Sequence, residues 1–593
     1  MFTRQFLFTW SFCISLSSSL EFDPVAYTTH GYLKGKVKLS LHNKKYHSFT
    51  GIPYAKAPVG DLRFREPQDL EPWHNFTRDA TKDPPACIQR NYLFSIDPPI
   101  EGKEDCLYLN LFVPQTNDET AKNKKGLLPV MVFIHWGGFI AGRSTTGYLG
   151  PEYFMDKDVI LVTFNYRVGP FGFLSTLDDE APGNYGLKDQ VAALKWVRAN
   201  VELFGGDKDK VTIFGQSAGA GSVHLHMLNP ASKGLFHRAI SQSGNALAGW
   251  AQPTTNLQKE IATLQGKFVG CENGLNNTGD LIRCLKSIPA KDILKSQDSF
   301  RPFFGNPLMV FGTVVETKSR NNPNPFILKM PLQSILDGEI SKVPWLTGVV
   351  KNEGILRAAG LIRSTRVRDT LNENFEKLVS EILLILSLST PHSQSLYRNI
   401  SNFYLNGKNF IDIDDSDNIQ GFVDVYSDRA FFYPFYQSVI LQSQKGHTPI
   451  YLYSFEYEGA NTYGDLFAMT HENINFHWGT CHSDDLLYLF NSPDLFNVTG
   501  AFKDSQLTEI LINMWTNFAK NGHPNLHNEP ITWEPLNLNK TDCLDYNSKF
   551  ELLNITGNYE TGPKLEITNG FYKERMKFWS GSDIYENQNL SID

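Results

Sequence analysis

The chain has 593 residues, 20% of them charged and 41% hydrophobic, with 42 Phe and 10 Trp. That balance excludes a disordered polymer, a collagen and a coiled-coil rod, and it supports a large buried core. The net charge is −8 and no long Lys/Arg block occurs, so nothing predicts a phosphate-binding face and nucleic acid is not an expected partner.

Residues 1–20 read as a secretion signal. Arg4 gives the positive start, Phe6–Leu16 the apolar stretch, and Ser17, Ser18 and Ser19 the small residues for cleavage. No later stretch reaches the ~18–20 apolar residues of a spanning helix; the nearest, Leu378–Leu388, is interrupted by Ser380, Glu381 and Ser387. The polar end Asn587–Asp593 is unlike a glycolipid-anchor signal. The expected protein is therefore secreted, without a membrane anchor. Seven N-x-S/T sequons agree with export, at Asn75, Asn276, Asn399, Asn497, Asn539, Asn554 and Asn589. Of the cysteines, Cys13 leaves with the signal, and Cys87/Cys106 and Cys271/Cys284 are close pairs in polar sequence suited to local disulfides. Cys481 and Cys543 remain, and the sequence leaves them paired or free.

Past the signal, strand-like and helix-like segments alternate. Pro129–His135 and Asp158–Tyr166 are short apolar runs. Leu187, Val191, Leu194, Val197, Val201 and Phe204 recur at three- and four-residue spacing, which predicts an amphipathic helix. Lys210–Gly215 reads as a strand, Ala218–Leu228 as a helix, and Arg238–Gly244, Pro344–Val350 and Pro449–Tyr457 as further strands. Leu371, Phe375, Val379, Ile382 and Leu386 read as the stripe of another helix. Alternation of this kind implies crossover connections and a large, mostly parallel central sheet covered by helices on both faces. With no linker or repeat, residues 21–593 are expected to form one α/β domain.

The segment that carries chemistry is Gly215-Gln216-Ser217-Ala218-Gly219, set between an apolar strand and a helix. A sharp strand-to-helix turn of this form holds the serine proud of the sheet, and its glycines let neighbouring backbone pass. Upstream, His135-Trp136-Gly137-Gly138-Phe139 directly follows a strand. Its glycine pair can turn N–H groups toward a ligand, so Gly137, Gly138 and Ala218 are candidate donors to an oxyanion. In such sheets the acid follows the serine and the histidine follows the acid. Glu353, just past the strand ending at Val350, fits the acid. For the base, order alone leaves His392, His447, His471, His477, His482, His523 and His527 open.

Several stretches together resemble the type-B carboxylesterase/cholinesterase family of the α/β-hydrolase fold over nearly the whole mature chain. They are Phe49–Ala55, Glu104–Asn110, Phe164–Arg167, Gly186–Gln190, the serine turn, Ser241–Gly244 and Gly479–Asp485. The resemblance implies a serine carboxylic ester hydrolase with Ser217 as nucleophile, Glu353 as acid, His482 as base, and Gly137, Gly138 and Ala218 as the oxyanion hole. It further implies the disulfides Cys87–Cys106 and Cys271–Cys284, structural ion pairs Arg63–Glu104 and Arg167–Asp189, a small-molecule ester as partner, and neither metal nor cofactor. Cys481 is expected to be a small apolar filler.

The chain departs from the family pattern in three places. Trp136 stands where a third glycine is usual and is expected to reshape the substrate pocket. No Trp lies between Cys87 and Cys106, and Leu356 and Arg357 replace aromatics past the acid, so choline esters are poor candidates. Gln216 gives the Gly-Gln-Ser-Ala-Gly form that resembles secreted insect juvenile hormone esterases rather than general carboxylesterases. Trp250 is expected in the acyl pocket. The same fold serves non-catalytic adhesion proteins, which lose triad residues and carry a spanning helix.

Overall fold

The computed structural model describes residues 23–115, 126–271, 277–383, 390–469, 477–496, 504–526, 531–538, 550–584 and 587. Residues 1–20, the expected signal, lie outside them.

Eleven strands form the central sheet: β1 (Lys36–Leu39), β2 (Lys45–Pro53), β3 (Tyr108–Pro114), β4 (Leu128–Ile134), β5 (Ile160–Phe164) and β6 (Gly206–Gln216), then β7 (Arg238–Gln242), β8 (Trp345–Val350), β9 (Ile450–Phe455), β10 (Glu551–Asn558) and β11 (Gly562–Asn569). Their spatial order is β11-β10-β9-β8-β7-β6-β4-β5-β3-β2-β1. The six neighbour pairs from β10 to β5 are parallel, and the four at the two flanks are antiparallel. Six of the seven strands joined in parallel were read from the sequence, because strands buried on both faces are continuous apolar runs; β10 was not. Val132 of β4 sits between Val162 of β5 and Ile213 of β6, all three fully buried.

The flanks were not legible. β1 reads Lys-Val-Lys-Leu, and β11 contains no buried residue. Half-exposed strands of mixed composition carry a weaker pattern than buried ones.

Among the helices that position the site are α1 (Tyr185–Asn200), α2 (Ala218–Leu228), α3 (Ile355–Arg363), α4 (Thr365–Glu373), α5 (Phe375–Ile382), α6 (Ser416–Ser427) and α7 (Ser505–Asn521). The stripe from Leu371 to Ile382 is not one helix but two, α4 and α5, and Leu386 lies outside the described residues. Asn374 breaks them: its backbone turns to φ −126°, ψ 34°, and its amide donates to the Leu371 carbonyl at 3.1 Å. Its side chain also bonds the Thr370 carbonyl at 3.3 Å, the competition with backbone that makes Asn a poor interior helix residue.

The chain crosses from β4 to β5 on one side and returns to β6 on the other. Loops at the carboxyl ends of strands around such a reversal open onto a common crevice. Three of the candidate site loops, after β4, β6 and β8, start there. Among the described residues no helix is long and apolar enough to cross a membrane.

Candidate active site

Ser217 is the single residue between β6 and α2, with φ 56° and ψ −121°. This conformation is unfavourable for a side-chain-bearing residue, and the packing around it imposes it. A Cβ on Gly219 would sit 2.0 Å from the Ile134 carbonyl oxygen, and one on Gly215 would sit 2.6 Å from the Gly219 backbone. Only glycines let β4, β6 and α2 approach this closely. The Ser217 amide donates to the Gln242 carbonyl at 2.8 Å, pinning the turn to β7.

Glu353 follows β8 and is completely buried. One carboxylate oxygen, Oε1, accepts from the Val350 amide at 2.9 Å, and the other, Oε2, meets His482 Nδ1 in a short contact. A buried carboxylate bonded on one side by backbone can turn only its other oxygen to the ring, which fixes the imidazole's orientation. His482 is 2% exposed, reached 27 residues beyond β9, and its loop is tied to the acid's loop by backbone: Asn352 bridges Cys481, and its amide donates to the Thr480 carbonyl at 3.3 Å. The remaining ring nitrogen, Nε2, faces the side-chain amide of Gln216 at 3.2 Å. Ser217, Gln216 and His482 all line one cavity. The bond from Ser217 to Nε2 expected of a nucleophile and base is not formed in this resting arrangement. Such bonds commonly tighten only when substrate arrives.

Two neighbouring aspartates, which the sequence reading passed over, hold the histidine loop. Asp484 accepts from the Cys481 amide at 2.7 Å, the Tyr463 amide at 2.7 Å and the Thr462 hydroxyl at 2.9 Å. Asp485 accepts from Gln242 Nε2 at 2.8 Å and from the Tyr453 hydroxyl at 3.0 Å. Burial pushes the Asp485 carboxyl up to about 6, against the pull of those hydrogen bonds. The motif around His482 contained both residues; nothing local distinguished support from surface.

After β4 the backbone turns through Gly137 (φ 118°) and Gly138 (φ 58°). A Cβ on Gly137 would meet the Ala141 carbonyl oxygen at 2.1 Å, while its own carbonyl accepts from the amides of Ile140 and Ala141, both at 3.0 Å. The N–H groups of Gly137 and Gly138 donate to no protein carbonyl among the described residues, and both glycines line the cavity. Ala218 opens α2, where helix geometry leaves the first N–H without an intrahelical acceptor. Trp136 is 5% exposed, packed against Phe94, Tyr148 and Tyr463, and it is one of the residues lining the cavity. Trp250 lines it too, its indole N–H donating to the Ala430 carbonyl at 2.8 Å.

The cavity is partly open, and the space between its walls, solvent mouth included, is about 910 Å³. Its wall is mainly apolar, with Leu93, Leu308, Met309, Ile382, Phe431 and Phe467 among the lining side chains.

The other expected residues fall as follows. Cys87 pairs with Cys106 and Cys271 with Cys284, with Cα separations of 4.9 and 5.8 Å. Cys481 is free and fully buried, its thiol held well above the usual value by burial; Cys543 lies outside the described residues. Arg63 grips Glu104 at 2.6 and 2.8 Å, and Arg167 grips Asp189 at 2.8 and 2.7 Å, both away from the cavity wall. Of the other histidines, His447 is buried against Gln442 and Val343, and His477 is exposed beside Glu458. His471 and His527 lie outside the described residues. Asn75 and Asn399 are exposed. Asn554 is instead half-buried in β10, paired with Ser454 and Glu566 and with its amide oxygen covered, a placement that suits a glycan poorly. Asn276, Asn497, Asn539 and Asn589 lie outside the described residues.

Comparison with known proteins finds that the profile of the carboxylesterase family matches residues 23–579. A juvenile hormone esterase of Tribolium castaneum is 48% identical over 588 residues, covering 99% of this chain and 98% of that protein. Venom carboxylesterase-6 of Apis mellifera is 36% identical, covering 95% of each. Among solved structures, the juvenile hormone esterase of Manduca sexta with OTFP covalently attached superposes with a TM-score of 0.79 at 28% identity, over 94% of this chain and 99% of that one.

Proposed function

This chain belongs to the carboxylesterase family, has the α/β-hydrolase fold and is a carboxylic ester hydrolase; from that premise we propose that Ser217, His482 and Glu353 form its catalytic triad. The observation that carries the reading is the Glu353–His482 contact, with His482 and Ser217 lining one cavity and the other imidazole nitrogen turned to Gln216, next to Ser217 in the chain.

The chemistry follows from the residue types. A serine hydroxyl is a weak nucleophile until a base removes its proton. His482 Nε2 takes that proton as Ser217 Oγ attacks the ester carbonyl, the Gln216 amide giving way, and the same nitrogen then protonates the departing alkoxide. Glu353 holds the ring with Nδ1–H toward itself and stabilises the imidazolium. The carbonyl oxygen becomes negative only as the tetrahedral centre forms. Donors already fixed at Gly137, Gly138 and Ala218 therefore lower the barrier more than they tighten ground-state binding. Water activated by His482 releases the acyl group from Ser217.

For the substrate, we propose juvenile hormone. Support comes from the 48% identity to the Tribolium castaneum enzyme along nearly its whole length and from the Gly-Gln-Ser-Ala-Gly turn. The apolar cavity suits an apolar ester. We further propose that residues 1–20 are a cleaved secretion signal, that residues 21–593 form one domain, and that the exposed Asn75 and Asn399 carry glycans.

The test is a panel of juvenile hormone, naphthyl and nitrophenyl esters run on the protein and on Ser217→Ala. The reading expects hydrolysis of all three by the protein, kcat/KM highest on juvenile hormone, and rates at least 10³-fold lower in the variant. Full rates in Ser217→Ala would overturn the nucleophile. Equal kcat/KM across the panel would overturn the substrate alone.

A further inference from the structure

Within the mainly apolar wall of the cavity stands an arginine that no carboxylate among the described residues pairs with. Arg357 lies on α3, four residues past Glu353, and is 2% exposed. One guanidinium nitrogen, Nη2, donates to the Phe304 carbonyl at 3.2 Å, and Nε is buried with no partner at all. Among the described residues no carboxylate pairs with it; the phenol of Tyr426, which lines the same cavity, is near enough to act on its charge, and so is Arg301. Arg429 and Glu381 line the wall as well. Burial holds the Arg357 guanidinium below the ordinary arginine value.

A purely structural role explains this poorly. A guanidinium offers five donors, and fastening one loop through a single neutral carbonyl leaves most of a desolvated charge uncompensated. Three other buried arginines are used differently. Arg63 and Arg167 each grip a carboxylate through two bonds. Arg301, also buried, bonds two carbonyls and stacks at 4.2 Å on Tyr92. Arg357 has neither arrangement and borders the space a substrate occupies. A hydrocarbon chain filling that space would strip the remaining water from the charge and return nothing. A chain carrying an acceptor oxygen at that depth would satisfy it.

We propose that Arg357 is a specificity-determining residue, donating hydrogen bonds to an acceptor oxygen that the substrate carries away from the scissile ester on an otherwise apolar chain. The inference rests on the catalytic reading above and sharpens its substrate class from apolar esters to apolar esters with a second oxygen function. A charged carboxylate and a neutral ether or epoxide share the required acceptor chemistry.

The experiment compares nitrophenyl esters of matched chain length with an all-hydrocarbon chain, an ether or epoxide oxygen near the far end, or a terminal carboxylate. It is run on the protein, Arg357→Met and Arg357→Lys, with rates normalised to active sites titrated by a covalent inhibitor. The protein is expected to prefer an oxygenated chain. Arg357→Met should lower the ratio of oxygenated to hydrocarbon kcat/KM by about 10- to 100-fold, the range for losing a hydrogen bond to a charged group, and Arg357→Lys should keep part of it. Preference for the carboxylate alone identifies an ion pair, and preference for both oxygenated chains identifies neutral hydrogen bonding. An unchanged ratio in Arg357→Met overturns the inference while leaving the triad standing, whereas a protein inert on all three esters fails the catalytic reading instead. Should Arg357→Met not fold, inhibition of the unaltered protein by matched long-chain alcohols with and without the distal oxygen reads the same preference, and equal inhibition overturns it.

Discussion

The floor and the roof of the cavity are built by different means. The floor consists of the turns that leave β4, β6 and β8, where backbone meets backbone so closely that added Cβ atoms at Gly137, Gly215 and Gly219 would lie 2.0 to 2.6 Å from their neighbours. The roof is made by side chains from segments inserted between strands: Leu308 and Met309, Leu356 and Arg357 of α3, Ile382 of α5, and Tyr426 of α6. The floor is fixed by the sheet and holds the residues of the proposed triad and oxyanion hole. The roof is free to vary without disturbing the sheet. Under the proposed mechanism the difference teaches that the floor sets the reaction and the roof sets which ester undergoes it, so damage to the floor should fall equally on all substrates and damage to the roof should not.

Glu353→Gln should produce the largest effect. The amide keeps the shape of the acid but presents the wrong group to His482 Nδ1, and kcat is expected to fall about 10⁴-fold. Steady-state rates on small and bulky esters should fall by the same factor. A loss confined to one ester would show that floor and roof are not separable.

The floor was largely legible in the sequence. Ser217, Gly137, Gly138 and Glu353 sit within a few residues of buried parallel strands, and apolar runs ending in glycine-rich turns are local signals. His482 was less so, because the loop between β9 and the histidine is long and seven histidines satisfied the order; the resemblance, not the residue pattern, selected it. The roof was scarcely legible. Its residues are adjacent only after folding, and Arg357 was noticed solely as a departure from aromatics. Gln216 stood out as a marker of kinship, whereas its contact with His482 Nε2 emerges only from the turn's geometry. The break at Asn374 and the outer strands β1 and β11 were missed because weak or half-exposed patterns carry little periodic signal.

Trp136→Gly probes the boundary between the two regions, since the indole follows the floor's β4 yet packs on Phe94, Tyr148 and Tyr463. Removing a buried indole is expected to cost about 3–5 kcal/mol of stability. It should also raise kcat/KM on esters of bulky alcohols relative to small ones by about tenfold, the order that pocket shape supplies. Competition assays between paired esters read the ratio, and an unchanged ratio would remove Trp136 from the pocket.

The floor also carries a dependence on pH. His135, His224 and His226 are buried, and burial lowers their pKa values to about 4, 3 and 3. His224 and His226 lie on α2, directly behind Ser217. A histidine depressed in the folded state contributes stability above its unfolded value near 6.5 and loses it as the pH falls toward the folded value. The unfolding free energy should therefore fall between about pH 6.5 and 4, by up to about 1.4 kcal/mol per pH unit for each group. Denaturant titrations across that range should show a shallower decline in His226→Gln, and an identical slope would discharge His226 from the effect.

The central claim is that Ser217 is the nucleophile, activated by His482 and Glu353. Its most direct measurement is covalent labelling of the folded protein with an organophosphate, followed by peptide mass spectrometry. The account predicts one adduct per chain, on Ser217, with labelling slowed at least 10³-fold in His482→Ala. An adduct on another residue, or labelling of Ser217 at an undiminished rate in His482→Ala, would contradict it.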